Sequence, residues 1–356
     1  MPSVKCGIVG LPNVGKSTLF NALLKKRVAL SANYPFATVE PNIGVVAVPD
    51  SRLSLLADLV AREEKMDVLP PIVPAVVEFV DIAGLVKGAA QGAGLGNQFL
   101  SHIREVDAII HVLRDFADPS IVREGSENPD SDKLTVETEL GLADLQTLEK
   151  LIPATLEPEN LDILNRIKEE LDSGRIPGKY EIGKEDLAKW FKTLPLLSIK
   201  PVLYVFNVGE EEYSQKLLDR EDNGNEMVIS AKIEEELADL SEEERSQYLK
   251  ELGIEETGLE RLIKKAYSLL GLISFLTAGK KEVRAWTIKQ GMKAPQAAGV
   301  IHSDFEKNFI RAQVIEYEKL IEAGSMAEAK KKGWVATVGK DYIMQDGDVV
   351  EFLVST

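Results

Sequence analysis

The sequence predicts an α/β fold, in which a doubly wound, mostly parallel sheet carries an inserted α-helical hairpin and is followed by a small α+β domain. Three observations predict it. Short apolar runs rich in β-branched residues alternate with helical patterns, which is typical of parallel strands buried on both faces. Leucine-spaced residues over 133–194 interrupt this alternation, and strand-like runs of a different spacing follow from residue 273. The sheet domain would therefore comprise residues 1–132 and 195–272, the hairpin residues 133–194, and the last domain residues 273–356.

Length and composition narrow the class of protein. The chain has 356 residues, and at about 150 residues per domain two to three domains are expected. With 44% apolar and 28% charged residues it has a globular composition, which excludes a disordered or collagenous protein. Cys6 is the one cysteine, so no internal disulfide can form and a reducing compartment is favoured. No apolar run approaches the roughly 18 residues that cross a bilayer, and a motif that begins at Gly10 leaves no room for a signal peptide. We expect a cytoplasmic protein with no membrane partner.

The strands of the sheet domain are predicted from its apolar runs. They are residues 4–9, 43–48, 76–80, 108–113, 202–206 and 227–229. A helix is expected to begin at Thr18, and another at Ser241, where Ser-Glu-Glu-Glu forms a capping box. The acidic stretch over residues 234–244 is interpreted as the solvated face of that second helix.

The inserted hairpin is predicted from leucine spacing. Residues 134–152 place Leu145, Leu148 and Ile152 on one helix face and stop at Pro153. A second helix, with apolar residues from Leu161 to Leu171, ends at Ser173-Gly174. The length and charge of this segment favour a projecting arm, and two ordinary surface helices are the alternative.

The last domain is predicted to be rich in short strands. Residues 284–288, 334–337 and 349–354 are strand-like, and residues 299–302 open a helical segment. Gln345-Asp-Gly-Asp is predicted to form a tight turn of the hairpin type.

The charge distribution limits the polyanions that the chain can bind. With 42 basic and 58 acidic residues the net charge is −16, which excludes a uniformly basic coat for nucleic acid, and we expect no DNA partner. Residues 273–356, by contrast, carry 12 basic and 11 acidic side chains. A polyanion such as RNA would therefore prefer this end, where Lys330-Lys-Lys and Trp334 are compatible with RNA contact; a solvated charge run and a core tryptophan are the alternatives.

A phosphate-binding motif lies at the start of the chain. Gly10-Leu-Pro-Asn-Val-Gly-Lys-Ser follows the first strand and opens a helix, which is the context that this motif requires. Its glycines let backbone N–H groups face phosphate oxygens, and the helix N-terminus adds a positive dipole end. Lys16 would reach the β- and γ-phosphates, and the Ser17 hydroxyl would bind Mg²⁺. The predicted nucleotide-binding residues here are Gly10, Asn13, Val14, Gly15, Lys16, Ser17 and Thr18.

Two downstream positions complete a predicted Mg²⁺ and γ-phosphate site. Asp81 follows the third strand, where the carboxylate that coordinates Mg²⁺ lies in proteins with this loop. Gly84, in Asp81-Ile-Ala-Gly, would sense the γ-phosphate through its backbone N–H. Thr38 lies between the two motifs and would place a second hydroxyl on Mg²⁺, with an ordinary loop threonine as the alternative. The predicted metal ligands are Ser17, Thr38 and Asp81.

Together these motifs resemble the translation-factor-related class of P-loop GTPases and, within it, the YchF (Obg-like ATPase) family. The resemblance is carried by Gly10 to Thr18, by Asn33-Tyr-Pro-Phe-Ala-Thr-Val-Glu-Pro-Asn, by Asp81-Ile-Ala-Gly-Leu-Val-Lys-Gly-Ala and by Gly94-Leu-Gly-Asn-Gln-Phe-Leu. It extends nearly end to end, and the last domain resembles a TGS domain of the β-grasp type. The resemblance implies a P-loop nucleotide hydrolase that prefers ATP to GTP and associates with the ribosome or the translation machinery.

The choice of base is predicted from the end of the fifth strand. Ordinary GTPases have Asn-Lys-x-Asp there, and the aspartate accepts from guanine. This chain has Asn207-Val208-Gly-Glu210, whose glutamate is one methylene too long for the same geometry. An unmet guanine donor costs about 1–3 kcal/mol, so guanine selectivity should be lost, while the Asn207 amide can pair with a purine edge. Ser230, Ala231 and Lys232 would close over the base, and a degenerate motif that still reads guanine is the alternative.

The group that promotes hydrolysis is harder to predict. Leu85 stands where many GTPases have a glutamine that orients water, so Lys16, Gly84 and another group must suffice. Family members commonly carry a histidine after the fourth strand, and this chain has Arg123 at that position. Arg123 would stabilise charge on the γ-phosphate, with a surface arginine as the alternative. The histidines are His102, which lies on a predicted helix, His302, which lies in the last domain, and His111, which is interpreted as a satisfied core residue.

The resemblance further implies that Asn13 binds K⁺, which would stimulate hydrolysis. Two functions remain open. The first is an ATPase switch whose loops around Thr38 and Gly84 are ordered by Mg²⁺ and ATP and read by the ribosome through the hairpin and the TGS-like domain. The second is a nucleotide-sensing interaction module with negligible hydrolysis. Nothing in the sequence requires more than a monomer.

Overall fold

The computed structural model describes residues 4–27, 42–83, 95–123, 127–177, 180, 182–219 and 224–355. The strands are, in chain order, β1 (Lys5–Val9), β2 (Ile43–Ala47), β3 (Ile72–Val73), β4 (Val76–Asp81), β5 (Ala108–Asp115), β6 (Val202–Val208), β7 (Glu226–Ile229), β8 (Leu272–Ala278), β9 (Val283–Lys289), β10 (Phe309–Glu316), β11 (Ala336–Val338) and β12 (Asp348–Val354).

The helices cover the remaining regular structure. They are α1 (Lys16–Arg27), α2 (Arg52–Glu63), α3 (Leu95–Arg104), α4 (Pro129–Ala154), α5 (Pro158–Asp172), α6 (Glu185–Phe191), α7 (Glu210–Asp219), α8 (Ala231–Leu237), α9 (Glu242–Leu252), α10 (Gly258–Leu269), α11 (Ala294–Ile301), α12 (Ser303–Lys307), α13 (Tyr317–Ala323) and α14 (Met326–Lys331). Within the described parts of the chain, none has the length and apolar composition to cross a bilayer.

The predicted doubly wound sheet is confirmed. Among the described residues its strand order is β2-β4-β1-β5-β6-β7, in which β2 is antiparallel to β4 and the other pairs are parallel. β5 and β6 run two residues further than predicted, to Asp115 and Val208. The apolar runs stop earlier because Arg114 and Asn207 are polar, yet both side chains are buried. The carboxyl ends of the parallel strands therefore meet at one edge and bring their loops together.

The helical hairpin is present, but its first helix has two roles. α4 begins at Pro129 and is capped at its N-terminus by Asn128. Its first half packs in the main core through Val136 and Leu140. Its second half packs through Leu148 against α5, in a core of its own. The helix ends at Ala154 rather than before Pro153, because a proline in the last turn removes only one backbone hydrogen bond.

The buried carboxylate of Asp144 connects α4 to the sheet domain through hydrogen bonds. The oxygens of Asp144 accept from the backbone N–H of Leu197 at 2.8 Å and from the N–H and hydroxyl of Ser198 at 2.7 and 2.6 Å. Because these residues lead into β6, Asp144 fixes the point where the chain returns to the sheet.

The C-terminal domain is a mixed sheet of the β-grasp type, as predicted. Its strand order is β11-β10-β12-β8-β9-β3, with the antiparallel pair of β8 and β9 first in the chain and β12 parallel to β8. Strands β8 and β10 had no counterpart among the predicted runs. The edge strand β3 comes from residues 72–73, within the sheet-domain segment, and is parallel to β9.

Gln345-Asp-Gly-Asp forms the predicted tight turn, in which the N–H of Asp348 donates to the oxygen of Gln345 at 3.3 Å. It joins the two domains instead of closing a hairpin, so the hairpin part of the prediction is wrong. β12 pairs with β10 and β8, whereas β11 pairs with β10. Asp346 accepts from Arg52 Nη1 at 2.7 Å and from the N–H of Ser274 at 2.9 Å. Gly347 has φ of +81°, and a Cβ there would lie 2.7 Å from the Arg52 guanidinium. The turn is therefore shaped to receive an arginine from α2.

The prediction of a solvated acidic face over residues 234–244 is wrong at Glu234. Glu234 is 2% exposed, and its carboxylate accepts from the N–H groups of Gly258 at 2.7 Å and Leu259 at 3.2 Å. It thereby satisfies free donors at the N-terminus of α10. The predicted Ser241 capping box is confirmed.

The interpretation of His111 is correct for its burial and wrong for its hydrogen bonding. The side chain is buried in β5, and Nε2 has no hydrogen-bond partner among the described residues. Burial, together with the positive charge of Lys133, lowers the pKa of His111 to about 3. The unfolded chain takes up a proton here near pH 6.5, which the folded chain resists. The free energy of unfolding must therefore fall as the pH drops from 6.5 towards 3.

We predict that His111→Leu weakens this pH dependence. Between pH 7 and pH 5 the wild type should lose about 2 kcal/mol of stability through this side chain, and the variant should lose none of it. Urea unfolding of both proteins at the two pH values measures the difference. His102→Asn, at an exposed position of α3, is the control and should behave as the wild type. Equal losses in wild type and His111→Leu would contradict the prediction.

Candidate nucleotide-binding site

A cavity of about 1080 Å³ lies at the carboxyl edge of the first sheet. Its walls come from the β1–α1 loop, the segment after β5, the end of β6 and the β7–α8 loop, which the sequence places far apart. The predicted residues that line it are Asn13, Gly15, Lys16, Ser17, Thr18, Asn207, Val208, Glu210, Ser230, Ala231 and Lys232.

The P-loop backbone follows the phosphate-cradling path that its glycines predict. Asn13 and Gly15 have φ of +61° and +91°. A Cβ at Gly15 would overlap the amide nitrogen of Asn207, so only glycine fits. Gly10 and Val14 lie behind the loop and do not line the cavity; a Cβ on Gly10 would lie 2.8 Å from the backbone oxygen of Val112. These two residues act through close packing and backbone position.

Lys16, which lines the cavity, forms an ion pair with Asp81, which lies next to it and outside the cavity lining. Lys16 begins α1, whose first turn holds no acidic residue, and Asp81 ends β4. Anions bind favourably at such a helix N-terminus. The pair brings the lysine that is predicted to bind phosphate next to the carboxylate that is predicted to bind Mg²⁺.

The donor set fits Mg²⁺ held together with phosphates. Ser17 lies beside Lys16 and lines the cavity. Within the described ranges, no group of three or more His, Cys, Asp or Glu side chains forms an all-protein metal cage. Mg²⁺ commonly uses one or two carboxylates, a hydroxyl and substrate phosphates, which Asp81 and Ser17 can complete. Thr38 and Gly84 lie outside the described residues and stay predictions, as does the role of Leu85.

Asn207 joins two walls of the site. Its Nδ2 donates to the backbone oxygen of Val14 at 2.9 Å, and its Oδ1 accepts from the N–H of Ala231 at 2.9 Å. The predicted pairing of this amide with a purine edge is therefore limited to its second N–H. That donor fits N7, which adenine and guanine share.

Glu210 and Lys232 form an ion pair of 2.7 Å at the rim of the cavity. The hydrogen bond to Glu210 raises the pKa of Lys232. The glutamate that replaces the usual aspartate is therefore already engaged by a cation.

Ser230 presents a buried polar atom beside the cavity. The residue is 1% exposed, and Oγ has no hydrogen-bond partner among the described residues. A buried hydroxyl without a partner costs about 1–3 kcal/mol, which a ligand that bonds to it removes.

The segment after β5 contributes lining residues that the sequence analysis missed. Phe116, Asp118 and Ile121 line the cavity. No motif marks them, because an aromatic and an acidic residue after a strand are common in any loop.

The predicted catalytic arginine points elsewhere. Arg123 Nη2 donates to Asp132 Oδ2 and to the backbone oxygen of Arg114, both at 3.0 Å. Its action on a γ-phosphate stays a prediction. His102 is exposed on α3, and His302 is the exposed N-cap of α12.

Known proteins resemble this chain over its whole length. A family model described as a 50S ribosome-binding GTPase matches residues 5–148, and the C-terminal model of YchF GTPases, described as a protein of unknown function, matches residues 272–355. The ribosome-binding ATPase YchF of Bacillus subtilis is 48% identical over 98% of this chain and 99% of its own length. That of Escherichia coli O157:H7 is 45% identical over 98% of each. The solved YchF GTPase of Schizosaccharomyces pombe superposes with a TM-score of 0.84 at 35% identity, covering 99% of this chain and 98% of that one.

We predict opposite effects of Ser230→Ala on stability and on nucleotide binding. Removing an unpartnered buried hydroxyl should raise the free energy of unfolding by about 1 kcal/mol and weaken nucleotide binding by roughly tenfold. Urea unfolding and calorimetry with Mg·ATP measure the two. Ser274→Ala is the matched control, because the buried Ser274 hydroxyl is bonded to Tyr267 at 2.8 Å. That variant should lose stability and keep its nucleotide affinity. Unchanged affinity in Ser230→Ala would mean that this hydroxyl does not face the ligand.

Proposed function

Because the chain belongs to the YchF family, we propose that it binds Mg²⁺ and ATP in the cavity at the edge of the first sheet and hydrolyses ATP in preference to GTP. The observation that carries this proposal is the P-loop, whose Lys16 lines the cavity and pairs with Asp81 beside it. The relatives from Bacillus subtilis and Escherichia coli are named ribosome-binding ATPases, which supports both nucleotide hydrolysis and a ribosomal partner.

The preference for adenine is supported by the Glu210–Lys232 pair. Guanine needs an acceptor for its N1–H and 2-amino donors, and in GTPases an aspartate supplies it. Here the carboxylate at that position is longer and is bound to a lysine. If the Glu210 carboxylate accepted from guanine, its ion pair with Lys232 would break. Adenine has neither the N1–H nor the 2-amino donor, so it does not require this change. A GTP-preferring enzyme is the alternative.

Lys16, the P-loop backbone and the predicted Mg²⁺ ligands have separate roles in catalysis. Lys16 binds the β- and γ-phosphate oxygens, and the backbone of residues 13–18 holds the phosphate chain in line. Ser17, Thr38 and Asp81 would hold Mg²⁺, which would supply positive charge beside the phosphates. Gly84, which lies outside the described residues, would contact the γ-phosphate through its N–H. Arg123 approaches the γ-phosphate only if it leaves Asp132.

Asn13 is oriented in a way that suits a monovalent cation. Its Nδ2 donates to the backbone oxygen of Val122 at 3.2 Å, so the side-chain oxygen is not used in that bond. Asn13 lines the cavity and can direct this oxygen at K⁺ beside the phosphates. The cation would add positive charge where the transition state gains negative charge.

The bound nucleotide acts as a switch in this proposal. ATP and Mg²⁺ engage Thr38 and Gly84, and hydrolysis releases them. The ribosome would distinguish the ATP-bound from the hydrolysed form by binding the hairpin and the TGS-like domain, where Lys330 and Lys331 are exposed. Trp334 packs against the main core, and Lys332 Nζ lies 4.2 Å from the centre of its ring, so core packing is the role of this tryptophan. A sensing module with negligible hydrolysis is the alternative.

We predict that the wild type binds Mg·ATP more tightly than Mg·GTP and that Glu210→Asp gains guanine affinity. Shortening the carboxylate weakens its hold on Lys232 and restores an acceptor for guanine, which should tighten GTP binding by about tenfold. Calorimetry with both nucleotides measures this change. Glu328→Asp is the control, because Glu328 also pairs with a lysine, Lys331 at 2.6 Å, and does not line the cavity; it should leave both affinities as they are. Tight GTP binding by the wild type would favour the GTPase alternative.

We predict faster ATP hydrolysis in K⁺ than in Na⁺ buffer, and loss of that difference in Asn13→Ala. Turnover of Mg·ATP is measured in both salts, with and without ribosomes. Equal rates in the two salts would overturn the role of Asn13. Rates at the uncatalysed level in both salts, even with ribosomes, would favour the sensing module.

A further inference from the structure

The side chain of Arg114 is a buried positive charge next to the nucleotide cavity. It lies near the end of β5 and is 4% exposed. Its guanidinium donates to backbone oxygens of residues 116–123, which we call the β5 loop. The acceptors are Phe116 at 3.4 Å, Asp118 at 3.2 Å, Ile121 at 3.1 Å and Val122 at 3.4 Å. A buried charge is tolerated only with such partners, so the β5 loop folds around this side chain.

One carboxylate binds the chain on both sides of the β5 loop. Asp132 is 1% exposed in the first turn of α4. Its Oδ2 accepts from the backbone N–H of Arg114 at 2.9 Å and from Arg123 Nη2 at 3.0 Å. Arg114 therefore binds backbone oxygens along the loop, while Asp132 binds the strand residue before the loop and the last residue of the loop.

The loop held in this way forms one wall of the nucleotide site. Phe116, Asp118 and Ile121 line the cavity, and the guanidinium of Arg114 lies 4.5 Å from the centre of the Phe116 ring. The backbone oxygen of Val122 accepts from Arg114 Nη1 and also from Asn13 Nδ2. One oxygen thus connects the buried guanidinium to the P-loop.

We propose that Arg114 is a positioning residue that sets nucleotide affinity by holding the β5 loop against the P-loop. Without it, the wall would have to be ordered each time a nucleotide binds, and that cost would weaken binding. The inference rests on the proposed function only in that a nucleotide binds here. It is independent of which base is preferred and of whether the nucleotide is hydrolysed.

Two variants test the role. Arg114→Lys keeps the charge but concentrates its donors on one atom, which cannot reach four separated carbonyls as a planar fork does. Arg114→Met keeps the apolar stem and removes every donor. Arg261→Met is the matched control, because the half-buried Arg261 donates to the Tyr213 hydroxyl and the Val228 oxygen, both at 3.0 Å, and does not line the cavity.

The measurements are calorimetry with Mg·ATP and Mg·GTP and hydrogen exchange of the β5 loop. Affinity for the nucleotide that the wild type binds should fall about tenfold in both Arg114 variants. Exchange should rise in residues 116–123 and stay unchanged in β6. In Arg261→Met, thermal stability should fall while affinity and loop exchange stay as in the wild type.

Wild-type affinity and loop protection in folded Arg114→Lys would overturn the proposal. An equal loss of affinity in Arg261→Met would overturn it too, since general destabilisation would then explain the effect. If Arg114→Met does not fold, Arg114→Lys decides alone. A wild type that prefers GTP or lacks turnover would contradict the proposed function and leave this comparison intact.

Discussion

The nucleotide site depends on the amide of Asn207. Its Nδ2 bonds to the P-loop at Val14, and its Oδ1 bonds to the N–H of Ala231 after β7. The contact requires glycine at position 15, because a Cβ there would overlap the amide. It also fixes Ala231, and with it the neighbours Ser230 and Lys232, which are predicted to close over the base. Asn207, which stands where GTPases have a base-recognition motif, thus connects two loops of the site through its side-chain amide.

Buried charged side chains that bind backbone groups recur throughout this chain. Asp144 anchors the return to β6, Glu234 caps α10, and Arg114 folds the β5 loop. Each belongs to a residue type that is usually found at the surface. Backbone N–H and C=O groups in loops and helix ends need partners when they are buried, and a charged side chain can satisfy several at once. Such residues shape loops, and loops here form the functional site.

The nucleotide domain and the C-terminal domain share one core. α2 buries Leu53, Leu56 and Val60 in a cluster that includes Leu320 and Val349 of the C-terminal domain. The Arg52–Asp346 ion pair and the bond from the N–H of Met326 to Glu63 lie on the same joint. The outer half of the hairpin, by contrast, packs in a separate cluster. A partner that binds the C-terminal domain therefore contacts a domain that shares its hydrophobic core with the nucleotide-binding domain.

The sequence by itself determined the features that depend on residues close together in the chain. The P-loop, the parallel strands and the Ser241 cap follow from glycine spacing, apolar period and a capping motif, whereas the β-grasp type of the C-terminal domain was implied by the family resemblance. The sequence also placed most of the cavity lining, because parallel strands bring their carboxyl ends together. Only the tertiary structure decided that Glu234 is buried, that the Gln345 turn receives Arg52, that β3 joins the second sheet and that the β5 loop walls the cavity. These outcomes depend on which distant backbone groups need a partner, and local patterns carry no information about that.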